Sequence, residues 1–559
     1  MRQALAAVPR MYEPPKPATV SAGEYPGLTL EPWEIGRGDY NPYVTRLLTL
    51  YSQARKNNQG TRGLDAIARF TYVNTRLDEN RAPAIADGRF RLVIVTGNAG
   101  DGKTAFLQQV EAYFGTLGVT AAALSTNNGT SWEHAGLQFR TNYDGSQDEG
   151  DVQNDDVPAS FLNPFSGSSL SEFRAGQVRL LAINEGRLLD FLEHSSHSGE
   201  FVALRRFVLK ALVSGDTSDG MLLVNLNLRA VAAGDKDSLV ERQLKAILRP
   251  EVWAPCDQCT YKLRCPIKHN ADSLRDPISG PAVRARARRL FEVVHLRRRA
   301  HVTIRDLRST LSWLLMRDHG CGDVAKLLTT QDPSAPDQLA ALYYPDAFAA
   351  LEGASRDRVE DRLVAMLRQS DVGLVNEPAL DRRLDHDADG AVPWMSFDSR
   401  SNYGWEVLAA QRRNTPRTQE TTSLSELVRG RRTLVERLRR WAYYERRDDS
   451  WQDMLPYRSW RLLSDVIYSP SKKDREAFSQ KLRDRVIEAI SLSEGLRSTQ
   501  VRKDFLALRV SRVKNPSIRS YRLFPAAAFR IELTEAKALG EFLEFAADSI
   551  DLVADESIG

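Results

Sequence analysis

The sequence predicts an α/β fold. It should have a parallel-sheet core, a helical lid with a cysteine-bearing insert, and a C-terminal region of mixed helix and strand. Three observations carry this. Short apolar runs beside turn residues recur at RLVIVT (91–96), QVRLLAINE (177–185) and GMLLVNLN (220–227), as expected of strands buried on both faces of a parallel sheet. The first run passes through glycines into an amphipathic stretch, GNAGDGKTAFLQQVEAYFG (97–115). Three of the four cysteines fall within positions 256–265, just ahead of an arginine-rich helical segment at 281–318.

At 559 residues the chain is too long for one ordinary core, and roughly three to four domains are expected. Its 42% hydrophobic and 27% charged content is that of a folded globular protein. A net charge of +4 over this length leaves only local patches to speak for nucleic acid. Prolines interrupt MRQALAAVPRMYEPPKP before a signal sequence is established. No run approaches the ~18 apolar residues that span a bilayer. Four cysteines do not make a secreted disulfide scaffold, so a reducing cytoplasm is the expected location.

Residues 1–43, rich in Pro and Gly, read as an irregular lead-in. Residues 44–250 form the expected nucleotide-binding domain, opening with two helices separated at NNQG (57–60) and followed by the strand at 91–96. A second strand is expected at GVTAAALST (118–126), then a polar insertion over 127–176. Residues 251–328 form the lid, TTQDPSAPDQ (329–338) reads as a domain boundary, and 339–559 complete the chain. Helices are expected at 424–447 and 472–495, and strands at FLALRVSRV and YRLFPAAAFRIELT.

The stretch Gly97, Asn98, Ala99, Gly100, Asp101, Gly102, Lys103, Thr104 fits GxxxxGK[ST]. Glycines let the backbone turn with positive φ, so that N–H groups curl around phosphate, and the following helix aims its positive end at the same anion. Lys103 should neutralise the β/γ oxygens of ATP, and Thr104 should offer its hydroxyl to Mg²⁺. Hydrolysis also needs an acid near the metal and a group that orients water. LLAINE places Asn184 and Glu185 at a strand's C-terminal end. Glu185 can orient water, while Asn184 is neutral and a weaker magnesium partner than Asp. Asn225 and Asn227 tip the third strand, where an amide can sense the γ-phosphate or serve as a turn residue. In RRRAHVTIRDLRSTLSWLL (297–315), Ile304, Leu307, Leu311, Leu314 and Leu315 share a helical face. Arg305 and Arg308 lie on another face, available to a nucleotide or to solvent.

This order of parts resembles the AAA+ P-loop ATPases over about residues 44–325. More narrowly, GNAGDGKTAFLQ, NYDGSQDEG, AINEGRL, NLNLR and the CxxCxxxxxCP insert resemble ATPases of bacterial anti-phage defence loci. These include DptF-like phosphorothioation-dependent restriction ATPases and modules attached to defence-associated protein kinases. The resemblance implies Lys103 and Thr104 for phosphate and magnesium and Glu185 for water. It also implies Asn225 or Asn227 as first sensor, Arg305 or Arg308 as second, and an arginine finger in trans, for which Arg229 and Arg242 are the candidates. Self-association and a defence effector partner follow from it. Asn184 departs from the commonest pattern and keeps open a low-turnover nucleotide-gated switch or scaffold. A small-molecule phosphotransferase is a third reading, one that would normally lack the insert and lid helix.

In CDQCTYKLRCPIKH, a CxxC turn can place Cys256 and Cys259 on one metal, the alternative being free or redox-sensitive cysteines, and tetrahedral zinc needs two more donors. Cys265 and His269, at i and i+4 of a helix, are expected to supply them, with Cys321 as the rival fourth ligand. Two arginine-rich stretches, 283–299 and 428–447, could track a nucleic-acid backbone or simply form solvated helix faces. The acidic loop around Asp144 to Asp156 reads as exposed. FRIELTEAK lacks the upstream acidic pair of a nuclease, and neither a kinase catalytic loop nor a nucleophile elbow is found.

Overall fold

A computed structural model describes residues 41–555 except 52–69, 127, 147–154, 170–172, 215–219, 234–236, 298–300, 352–360, 387–391, 417–422, 458, 470, 511–518, 534–541 and 545–549. The lead-in up to residue 40, the NNQG break and much of the acidic loop lie outside the described residues.

A six-stranded sheet forms the core: β1 (Leu92–Thr96), β2 (Ala122–Ala123), β3 (Thr130–His134), β4 (Leu137–Asn142), β5 (Gln177–Ile183) and β6 (Met221–Asn225), in the order β2-β3-β4-β5-β1-β6. Strands β4, β5, β1 and β6 run parallel, while β2, β3 and β4 pair antiparallel at one edge. The continuous apolar character of β1 has a direct cause, because both of its faces are covered. Val93 and Val95 pack with Phe106, Leu107 and Val110 of the helix Lys103–Thr116. Leu92 and Ile94 pack on the opposite side with Leu188 and Phe191 of the helix Glu185–His194.

Thr96 of β1 stands level with Ile183 of β5 and with Asn225 of β6. The residues that follow these strands therefore emerge together at one edge of the sheet, the usual place for a ligand crevice in a parallel α/β sheet.

The polar stretch 127–176, expected as an insertion, carries regular structure. β3 and β4 form a hairpin there, and a helix spans Asp156–Leu162. Trp132 and Phe139 face each other across the hairpin with stacked rings 5.4 Å apart, packed on Phe114. The expected strand at 118–126 shrinks to Ala122–Ala123.

A second, mainly helical core extends from Tyr43 through the lid to Trp460. It contains Leu315 and Val324 on one side of 329–338 and Leu339 and Tyr343 on the other. Packing is thus continuous across the expected boundary, which coincides with an exposed turn between the helices Cys321–Thr329 and Ala335–Ala341. The expected long helices occur at Leu424–Glu445 and Lys472–Ser493. Four further strands follow in two antiparallel pairs: β7 (Phe505–Arg509) with β8 (Tyr521–Pro525), and β9 (Phe529–Leu533) with β10 (Ile550–Ala554). Among the described residues no helix is long and apolar enough to cross a membrane.

Candidate nucleotide site and cysteine pocket

The loop after β1 turns on glycines in the left-handed region: Gly97 at φ +147°, Gly100 at +98° and Gly102 at +94°. Space as well as φ demands glycine here. A Cβ on Gly97 would meet Asp101 Oδ2 at 2.9 Å and Leu226 Cβ at 3.0 Å, and one on Gly100 would meet Arg305 Cβ at 2.9 Å. Asn98 and Ala99 form the exposed crest. Asp101 is turned inward. Its Oδ2 accepts from the Asn98 backbone N–H at 2.6 Å, and its Oδ1 faces His301 Nε2 at 2.7 Å. The Arg305 backbone N–H donates to Gly100 O at 3.1 Å, so the start of the lid helix Ile304–Met316 is seated on the loop. Thr303 caps that helix reciprocally with Asp306, fixing where it begins.

Lys103 opens the next helix and folds back. Its Nζ donates to Gly97 O, Asn98 O and Asn184 Oδ1, each at 2.9 Å. Burial lowers its pKa, the nearby Arg305 adds to that, and Asp101 and Asp144 act in the opposite direction. Thr104 Oγ1 donates to Tyr143 O at 3.0 Å. Across the crevice, Glu185 is the first residue of its helix. Its Oε2 accepts from Asn225 Nδ2 at 3.0 Å and from Asn227 Nδ2 at 2.8 Å. Asn227 Oδ1 also accepts from the Asn98 N–H at 3.2 Å. The loop, Asn184, Glu185, Asn225, Asn227 and Arg305 are therefore brought to one place. Arg305 is exposed at its rim.

Other expected positions fall elsewhere. Arg308 is directed away from the loop, its Nη2 donating to Thr71 Oγ1 at 2.7 Å. On the lid helix it stands almost one turn beyond Arg305 on a neighbouring position of the same face, but that turn lies past the loop, and Thr71 supplies its partner there. Arg229 and Arg242 are poorly placed as fingers in trans because both are engaged within the chain. Arg229, 7% exposed, donates from Nη1 to Asp101 O at 3.2 Å. Its Nε lies 3.4 Å from Glu544 Oε2. Arg242 pairs with Glu544 Oε1 at 2.8 Å and donates to Asn74 O at 2.6 Å.

Three participants escaped the sequence reading. Asp144, expected to be exposed, is half-buried and close enough to act on Lys103, and the neighbouring Ser146 Oγ accepts from the Asn184 N–H at 3.3 Å. The alternation TSWEH…LQFRTN (130–142), which ends just before Asp144, was the available signal. His301 and Glu544 had none, since each acts through contacts distant in sequence.

All four cysteines are free thiols. They line one cavity of about 20 Å³ together with Asn41 and Lys268. Burial pushes the Cys256 thiol up to about 12 and Cys265 to about 11, and it raises Cys321, on which each of the other three thiols also acts electrostatically. His269 is absent from this cavity, which corrects its expected role. Its Nδ1 lies 3.1 Å from Ser401 O, its Nε2 faces Arg400, and its ring meets the edge of Tyr343. Sharing a helical turn with Cys265 does not bring it to the thiols, because the aromatic core draws the ring to its own side. Among the described residues no group of three or more His, Cys, Asp and Glu side chains is already arranged to hold a metal.

The arginine-rich stretches are largely spent on internal pairing. Arg284 pairs with Glu241 at 2.9 Å, and Arg286 donates to the carbonyls of Tyr443 and Arg446. Arg439 pairs with Asp381 at 2.6 Å, and Arg440 with Asp371 at 2.7 Å and Asp346 at 3.1 Å. Compared with family models, with curated proteins and with solved structures, the chain has no match in any of the three.

Proposed function

We propose that the chain binds ATP with Mg²⁺ at loop 97–104 and hydrolyses it. In this reading it is an AAA+-type P-loop ATPase whose turnover powers or licenses a partner effector in bacterial anti-phage defence. One observation carries the ATPase part. A left-handed glycine loop leads into a helix headed by Lys103, and it stands beside a carboxylate, Glu185, at the level ends of three adjacent parallel strands.

The residues fit the ligand. Side chains are excluded at Gly97 and Gly100, leaving backbone to face phosphate. Lys103 is already partly desolvated and satisfied only by neutral oxygens, which the phosphate oxygens replace with charge-assisted bonds. Thr104 and Asp144 would hold the magnesium ion, Asp144 supplying the negative charge that Asn184 lacks. Magnesium, when bound, neutralises charge that develops on the transferred phosphoryl oxygens. Glu185 orients the attacking water and takes its proton, with Asn225 and Asn227 fixing the carboxylate. Arg305, exposed at the rim and seated on the loop through its backbone, would meet the γ-phosphate. The effector partner rests on the sequence resemblance alone, and co-purification from the native host tests it.

The assay is magnesium-dependent release of phosphate from ATP. Lys103→Ala is expected to weaken ATP binding by about tenfold to hundredfold and to abolish turnover, and Glu185→Gln to abolish turnover while ATP still binds. Unchanged turnover in Glu185→Gln would remove that residue from the chemistry. A second reading, a low-turnover switch, is favoured by the clamp on Glu185, whose Oε2 is occupied by two amides. It predicts ATP-dependent assembly, read as a mass increase, with turnover near zero.

A further inference from the structure

We propose that Cys256, Cys259, Cys265 and Cys321 form one tetrathiolate site for a zinc ion, with Cys321 as the fourth ligand. Four cysteines are the chain's whole complement, and the fold brings all of them to a single small cavity although Cys321 lies far from the others in sequence. They reach it from different elements. Cys256 sits in the 3-10 turn Ala254–Gln258, and Cys259 follows it, its backbone N–H donating to Cys256 O at 3.2 Å. Cys265 is the N-cap of the helix Pro266–Arg275, its sulfur facing the backbone N–H groups of Ile267 and Lys268. Cys321 is the first residue of the helix Cys321–Thr329. Two helix N-termini thus bring positive backbone ends toward the sulfurs, which offset part of the negative charge of a metal-bound tetrathiolate.

The cavity selects its occupant. At about 20 Å³ it has room for one water-sized body. A water molecule would find mostly sulfur and carbon around it, with few hydrogen-bond partners. A four-iron cluster is too large for the same space. A single tetrahedral ion with sulfur ligands fits. Binding follows Zn²⁺ + 4 RSH → [Zn(SR)4]²⁻ + 4 H⁺, with no change of oxidation state. Lys262 and Lys268 line the cavity, Lys268 being held between Asp257 at 2.9 Å and Asp272 at 2.8 Å. Because no preformed group of three ligands is found among the described residues, binding would have to draw the thiols together.

The site joins three parts of the fold. Asn41 Nδ2 donates to Val252 O at 2.8 Å and to Cys256 Sγ at 3.2 Å, and Cys321 Sγ lies 3.9 Å from Asn41 O. Zinc would therefore fasten the beginning of the described chain, the cysteine insert and the helix that follows the lid helix bearing Arg305.

The test is elemental analysis of the purified full chain, together with reaction of its thiols with a chromogenic disulfide before and after chelation. The expected result is about one zinc per chain, with all four thiols protected until the chelator is added. Cys321→Ser should lose the zinc, and His269→Gln should retain it. Cobalt substitution of the wild-type protein should give the visible bands of a tetrahedral tetrathiolate, a readout that no folding defect of a variant can confuse. Wild-type protein without zinc, a cobalt spectrum of mixed nitrogen and sulfur ligation, iron in place of zinc, or full zinc in folded Cys321→Ser would each overturn the proposal.

Discussion

Glu544 is the residue whose removal should be felt furthest from its place in the sequence. Its carboxylate lies 2.8 Å from Arg242 Nη2 and 3.4 Å from Arg229 Nε, and it accepts from the Arg76 backbone N–H at 2.9 Å. Arg229 and Glu544 side chains are only 5% and 8% exposed. Glu544→Ala leaves the Arg229 cation buried without its counter-charge, a change that typically costs about 3–5 kcal/mol. Arg242 is 19% exposed and recovers part of its loss through water, so it adds at most about 1 kcal/mol. Phe542 and Leu543 remain buried among the residues of the sheet core, so the segment should stay docked while the cost is registered. Urea unfolding followed by tryptophan fluorescence should show a loss of about 3–6 kcal/mol. Because Arg229 also holds Asp101 O of the glycine loop at 3.2 Å, ATP affinity should fall by about threefold to tenfold, the worth of one hydrogen bond. A loss below about 1 kcal/mol, the range of a surface pair, would refute the buried-pair reasoning.

Other perturbations follow from the same contacts. Asp144→Asn should raise the magnesium concentration needed for half-maximal turnover by about tenfold while leaving ATP binding without metal nearly unchanged; a magnesium titration of the ATPase rate checks it. Gly100→Ala forces a side chain into φ +98° and against Arg305 Cβ at 2.9 Å, and should cost about 1–3 kcal/mol, seen as a lower melting temperature and weaker ATP binding. His269 is held neutral by burial and by the adjacent Arg400, its pKa depressed well below the ordinary value. The unfolded chain therefore takes up a proton near pH 6.5 that the folded chain refuses. Stability should be complete above that pH and fall below it, at a slope approaching about 1.4 kcal/mol per pH unit. His269→Gln should remove that part of the acid sensitivity in urea melts at pH 5 to 8, and an unchanged slope would exclude His269 as its source.

The elements legible in the sequence were those whose cause is local. β1, β5 and β6 announced themselves as apolar runs because each is buried on both faces, and the glycine loop because only glycine tolerates its turns. The hairpin β3–β4 was hidden because a strand with one wet face alternates, and Ser131, Glu133, Gln138 and Arg140 on that face read as loop. The roles of His269 and Arg308 depended on which side of a helix meets which neighbour, and a spacing of three or four residues does not decide that. The arginine-rich stretches looked like a charged surface until their acidic partners, dozens of residues away, were brought beside them. Asp144 belonged to the same class: its neighbour at the site, Lys103, heads a helix distant in sequence.

Calorimetric titration of Mg·ATP into the wild-type chain and into Lys103→Ala tests the central claim most directly. The wild type is expected to bind at one site per chain and the variant about tenfold to hundredfold more weakly, through loss of charge-assisted bonds to phosphate. Equal binding by the two proteins, or no binding by the wild type, would contradict it.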